Sequence, residues 1–429
     1  MPLTPALRPI PLDQLLRRVA HEWRARERIF DLPASRFWRR QSDVDLSTDF
    51  LGRVASSPLG PAAGPQSQMS QNLVLSWLGG SRIFELKTVQ VDDALAIGRP
   101  CIDAEGLTYN TELSQELRIS EAVDEYIKAS MMIEILRSWE PIFPHIGDDA
   151  GSHVFDLSVG YSMQSVRSPK VAHFIQAMTD ATTVVDRLRQ DIPDEFAFAR
   201  DFDFTTAVSS TATLSTFHGC LPLEISDVVH HLMQEHELDV VVKLNPTLLG
   251  FHRVEHILHD ILHYFDVTVD PHCFPADLQF HHATELIGSL ANFAMASHRR
   301  FGLKLTNTMV VDNIRARLAD DPVYLSGPPL HVLATTLLDD LINDMPGRFE
   351  IAGHEGSVQL SFSGGVSAAN ISDTLGMGVK SVTVCSDLLR PGGYGRLQPM
   401  LRALADGMRA ASVTSLNGWH QLRWSSSRA

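Results

Sequence analysis

The sequence predicts a (β/α)8 TIM barrel, the α/β class in which eight parallel strands alternate with helices. Three observations predict it. Eight short apolar runs recur along the chain, and segments of helical periodicity separate most of them. The last two runs also end on small residues, where a backbone can approach an anion. In barrels of this kind a phosphate commonly lies beyond strands seven and eight. A doubly wound parallel sheet is the competing arrangement for the same alternation.

The candidate strands, in order, begin with GPAAG (60–64), RIFELKTV (82–89), HVFDLSVG (153–160) and TATLST (211–216). They continue with DVVVKLN (239–245), GLKLTNT (302–308), VQLSFSG (358–364) and SVTVCS (381–386). Stretches such as EAVDEYIKASMMIEILRSW and LEISDVVHHLMQEH supply the intervening helices. The barrel is expected over residues 51–410, after an N-terminal helical extension (1–50) and before a C-terminal tail (411–429). Two long connections, near 99–120 and 183–210, are expected to be insertions that form lid loops over the mouth.

Composition narrows the function classes. The chain has 429 residues, 44% hydrophobic and 20% charged, enough for a large buried core. A formal net charge of −15 argues against a nucleic-acid or anionic-membrane surface. The basic stretch RRVAHEWRARER (17–28) interleaves Val19, Trp23 and Ile29, and reads as an amphipathic helix with a solvated basic face. Four dispersed cysteines, Cys101, Cys220, Cys273 and Cys385, contain no CxxC pair for an iron–sulfur cluster or zinc knuckle. No signal-like or membrane-spanning run is evident, so a cytoplasmic location is expected.

The strand ends carry the chemistry. Gly364 and Gly365 let backbone amides approach an anion, and Ser386 and Asp387 open the turn after strand eight. Lys87 ends strand two and Lys243 sits in strand five. A lysine in an apolar strand needs an acceptor, because burying it unpaired is costly. A core carboxylate is one such acceptor. An electron-rich anionic cofactor is the other, and two lysines beside the Asn307 amide and the Thr308 hydroxyl favour it. A flavin has that requirement, since cations near its N1/O2 edge stabilise the reduced ring.

These segments resemble the dihydroorotate dehydrogenase-like FMN barrels, including the flavin/uracil domain of dihydropyrimidine dehydrogenase. The resemblance is strongest to the N-terminal half of bacterial flavoprotein subunits of the selenate reductase type, implicated in urate and purine reduction. It is carried by RPIPLDQLL, PLGPAAGPQSQMSQN, FELKTVQ, RPCIDAEGLTYNTE, LSVGYSMQSVRSPK, TLSTFHGC, VVKLNPTLLG, FGLKLTNT, YLSGPPL, SFSGGV and LLRPGGYGRL, spanning about residues 8–400.

The resemblance implies the following roles. Ala63 and Gly64 run along the flavin ring. Lys87, with Thr88 beside it, contacts the pyrimidine side, and Lys243 lies near the ribityl chain and ring. Asn307 and Thr308 contact ring or substrate, with Asn110 and Asn245 as further substrate contacts. Ser326, Gly327, Gly364, Gly365, Cys385 and Ser386 hold the FMN phosphate. Cys220 of FHGC falls where relatives carry a proton-donating cysteine in an NxSCP loop. A neutral thiol there can protonate the carbon next to the one receiving hydride, and a buried small hydrophobe is the plainer reading. Phe217 replaces the relatives' asparagine, which argues against a uracil-specific enzyme. His218 beside it is a candidate acid or substrate donor, or a structural histidine.

The expected activity is an FMN-dependent oxidoreductase acting on an oxidised N-heterocycle. The alternatives are a dihydroorotate or dihydropyrimidine dehydrogenase-like enzyme, and a non-catalytic barrel serving as a subunit of a complex. No GxGxxG follows a strand. In the resembling family a larger FAD- and cluster-bearing segment follows the barrel, so electrons are expected from an FAD/iron–sulfur partner subunit or from small reductants. A small-molecule substrate and a homodimer complete the expected partners, with neither nucleic acid nor membrane among them. His252, His256, His259 and His263 form a helical row near His272 and Cys273 that suits either metal ligation or a solvated face. No metal is expected. Asp103, Glu105, Asn110 and Glu112 of the first insertion are candidate substrate readers.

Overall fold

The computed structural model describes residues 7–91, 95, 97–111, 114–147, 150–160, 162–216, 221–351 and 353–427. Eight parallel strands form the expected barrel: β1 (Leu59–Pro61), β2 (Ile83–Glu85), β3 (Val154–Gly160), β4 (Thr211–Ser215), β5 (Asp239–Leu244), β6 (Phe301–Leu305), β7 (Gln359–Ser363) and β8 (Ser381–Val384). They run in sequential order around the sheet, with β8 against β1. The ring closes between β1 and β2, where the Arg82 amide donates to the Leu59 carbonyl at 2.8 Å. Closure requires glycine at position 60: a Cβ there would lie 1.4 Å from the Ile83 carbonyl oxygen.

Each strand is followed by a helix that returns the chain to the barrel's lower rim, from Ser70–Leu78 after β1 to Leu397–Ala410 after β8. Strand alternation sorts the side chains. Leu157, Leu214, Val242, Leu303, Leu360 and Val382 belong to the main apolar core that includes the helices. The other face of the same strands carries Asp156, Thr213, Lys243, Lys304, Ser361 and Thr383, so the barrel interior is largely polar. Barrel interiors usually hold bulky branched residues. Here only the lower end does: Phe50, Leu51 and Ala55 of the hairpin Thr48–Phe50/Arg53–Ala55 plug it against Ile83, Val154 and Val241.

The N-terminal helix Leu12–Arg26 buries Leu12, Leu15, Leu16, Val19 and Ala20, one stripe at i, i+3, i+4, i+7, i+8, and leaves Arg17, Arg18, Arg24 and Arg26 exposed. It packs on the barrel's flank, where Arg17 pairs with Glu195 at 3.1 Å. Among the described residues no helix is long and apolar enough to cross a membrane.

The lid differs from expectation in one half. Residues Ile102–Asp103 and Thr108–Asn110 of the first insertion do form lid strands. The second, 183–210, does not cover the mouth, because it joins a helix to the start of β4 and so lies toward the lower rim, with Phe196 against Trp139. The lid's other half comes from Met309–Val311 and Val323–Ser326, after β6. Together they make a four-stranded antiparallel sheet, with Val269 bridging to Val311.

Candidate active site

Between the upper strand ends and the lid lies a cavity that opens to solvent. Ala63, Gly64, Lys87, Thr88, Lys243, Asn307, Thr308, Ser326, Gly327, Gly364, Gly365, Cys385 and Ser386 all line it, as does Asn110. Asn245 stands one shell back and bonds to Asn307. Cys220, His218 and Glu112 lie outside the described residues.

The floor of the cavity is charged. Lys243 Nζ lies 3.0 Å from Glu85 Oε1, and Lys304 Nζ lies 3.3 Å from Glu85 Oε2. Thr383 donates to Glu85 Oε2 at 3.2 Å. Burial by itself would raise the Glu85 carboxyl, but the attraction of Lys243 and Lys304 outweighs it and holds the group at about 2. Below, Asp156 accepts from Thr211 and Thr213 at 2.7 and 2.6 Å and lies 3.7 Å from Lys304. Burial pushes the Asp156 carboxyl up, and Lys304 and the two hydroxyls offset that only in part. Sequence reading assigned no role to Glu85, Asp156 or Lys304. The available signal was a charged residue in an otherwise apolar strand, in FEL, FDL and LKL.

One wall is an amide network. Asn307 donates from Nδ2 to Asn245 Oδ1 at 2.7 Å and to the Lys243 carbonyl at 3.0 Å. Its Oδ1 accepts from Ser215 at 3.3 Å. Asn245 in turn donates to Asp277 Oδ2 at 2.7 Å, and Thr247 donates to the same oxygen. Those bonds fix the orientation of both amides.

The far end is a small-residue cradle. Gly365 has φ +60°, and a Cβ on it would meet the Gly327 carbonyl oxygen at 2.5 Å. Ser326 and Ser386 hydroxyls stand 3.0 Å apart. The buried Thr108 hydroxyl, with no hydrogen-bond partner, lies 3.5 Å from where a Gly327 Cβ would sit. Asp387 also reaches this end, with both carboxylate oxygens held by Arg396. Burial raises the Cys385 thiol, against the lowering effect of its bond to Gln66.

The first insertion contributes less than expected. Asn110 borders the cavity, whereas Asp103 and Glu105 both engage Arg317 on the lid's outer side. The histidine row does not converge: His256 pairs with Asp260 at 2.7 Å, and His259 bonds the Val267 carbonyl at 2.8 Å. Among the described residues no group of three or more His, Cys, Asp or Glu could hold a metal ion.

Fold and site together define a (β/α)8 barrel with one polar, cation-bearing cavity at its mouth. The family described as "Oxidoreductase YgfK, N-terminal TIM-barrel domain" matches residues 30–423, and the chain belongs to it. The oxidoreductases named YgfK of Escherichia coli K12 and O157:H7 are each 35% identical over 435 aligned residues, covering 96% of this chain. The chain spans about 40% of the length of these relatives. Among solved structures, the DHODH of Eimeria tenella in complex with ferulenol superposes with a TM-score of 0.54, at 14% identity and 97% coverage of both chains. That likeness is one of fold.

Proposed function

We propose that this chain is the FMN-binding reductase barrel of an oxidoreductase, acting on an oxidised N-heterocycle of the purine or pyrimidine type. One observation carries the reading. Two lysines, Lys87 and Lys243, meet an amide wall and a glycine–serine cradle around a single cavity. The donor set suits a flavin mononucleotide. The cradle offers hydroxyls and unobstructed backbone to a phosphate, Ala63 and Gly64 leave a flat wall for a ring, and the lysines supply cations for an electron-rich edge.

A bound flavin supplies hydride transfer to the site. The chain's own residues do the rest. Asn307, oriented by Asn245, and Asn110 hydrogen-bond the heterocycle's edge and hold it in place. Cys220, which follows β4 in the sequence, is the proposed donor of the proton that accompanies hydride to the ring. We assign electron delivery to an FAD/iron–sulfur partner.

Purified protein incubated with FMN tests the reading. Stoichiometric uptake, followed by reoxidation of the photoreduced flavin by a purine or pyrimidine under anaerobic conditions, is the expected result. Failure to bind FMN would overturn it.

A further inference from the structure

Lys243 and Lys304 are register partners on β5 and β6, and Glu85 and Asp156 are register partners on β2 and β3. Both pairs face the barrel axis. Two ammonium groups on neighbouring strands, about 4.8 Å apart at the backbone, repel one another. The barrel answers with one carboxylate shared between them: Glu85 gives Oε1 to Lys243 and Oε2 to Lys304. Only Glu85 and Lys243 of the four line the cavity, while Lys304 and Asp156 are fully buried beneath.

The sharing has an electrostatic consequence. A Glu85–Lys243 pair alone would present a neutral floor. Lys304 draws on the same carboxylate from below and donates to the Thr213 hydroxyl at 3.3 Å, while its second carboxylate, Asp156, is farther away and already accepts from two threonine hydroxyls. We propose that Lys304 is a positioning residue: by engaging Glu85 from beneath, it leaves the Lys243 ammonium incompletely neutralised toward whatever ring or anion sits above it. Only the identity of that ligand rests on the flavin reading.

The charge on Lys243 can be read without any ligand. Competitive acetylation of the apoprotein across pH, with mass spectrometry of the Lys243 peptide, measures its proton affinity. Removing the neighbouring cation in Lys304→Met makes the Lys243 ammonium easier to keep, so its proton affinity rises about tenfold. Asp156→Asn keeps the side-chain volume and an amide oxygen for one of the two threonine bonds but removes a negative charge, so the affinity falls, by about threefold. A merely structural role would not give shifts of opposite sign. An unchanged Lys243 titration in a folded variant overturns the proposal, and Asp156→Asn decides it should Lys304→Met not fold.

Sulfite, which adds to flavin N5 as an anion, gives a second reading on FMN-loaded protein: its dissociation constant rises about tenfold in Lys304→Met and falls in Asp156→Asn. A wild-type protein that takes up no FMN sinks the flavin reading, while the acetylation result still decides this one.

Discussion

Arg396 grips both carboxylate oxygens of Asp387, Nε to Oδ2 at 2.8 Å and Nη2 to Oδ1 at 2.7 Å, at the cradle end of the cavity. An unpaired carboxylate there would repel a phosphate. The two-point guanidinium contact neutralises it and turns it away. Arg396→Leu is therefore expected to weaken FMN binding by at least tenfold in a fluorescence-quenching titration. Adding Asp387→Asn to that variant should recover most of the loss, because the repulsive charge is gone.

Gly365 makes a separate prediction about the same end. Its φ of +60° and the 2.5 Å approach of a built Cβ to the Gly327 carbonyl leave no room for a side chain. Gly365→Ala should cost about 1–3 kcal/mol in urea unfolding from the backbone conformation alone, and should lower FMN retention. A wild-type unfolding midpoint would show that the turn relaxes freely.

Stability should depend on pH through Glu85. Its carboxyl is held at about 2 in the fold against an ordinary 4.5, by Lys243 and Lys304 working against burial. A depressed carboxyl stabilises the fold above its unfolded pKa, and that contribution is lost as pH falls through the folded value. Wild type should exceed Glu85→Gln by about 3 kcal/mol at pH 7, and the gap should shrink from pH 5 down toward pH 2. Urea midpoints measured across that range check it, and a constant gap would contradict it.

Asp277 acts on the cavity at one remove, through Asn245 and then Asn307. Asp277→Ala frees the Asn245 amide and so loosens Asn307. The expected signature is a higher KM for the heterocyclic substrate, with FMN affinity unchanged. A matched loss of FMN binding would mean that the network supports the cofactor side instead.

Two further substitutions separate binding from chemistry under the proposed function. Lys87→Ala should lower FMN affinity or shift its reduction potential, read by titration and by dye equilibration. Cys220→Ser should leave FMN bound and slow turnover by two orders of magnitude or more. Full activity in that variant would remove Cys220 from the reaction.

Local pattern carried most of the fold. All eight barrel strands overlap the candidate runs; all but the first, the small-residue GPAAG, show the apolar character that a parallel strand covered by helices requires. The residues around the cavity were legible for a related reason: strand C-termini converge at one end of a barrel, so small and cationic residues at Gly364, Ser386, Lys87 and Lys243 must meet. The lid was half legible. Ile102–Asp103 and Thr108–Asn110 fell inside a conspicuous insertion, whereas Met309–Val311 and Val323–Ser326 are too short to stand out before pairing. The segment 183–210 looked like its counterpart by length alone, and its position between helix and strand sends it to the other rim.

By itself, the sequence determined the strand count, the alternation with helices, and the kinds of groups at the strand ends, since these follow from local periodicity and residue chemistry. Which charges neutralise one another was decided only by the tertiary structure. Glu85 and Lys243 are 158 positions apart, and Lys304 shares that carboxylate because barrel closure brings β2, β5 and β6 around one axis. Charge pairing depends on distances of a few ångströms across the barrel, and no spacing along the chain records them.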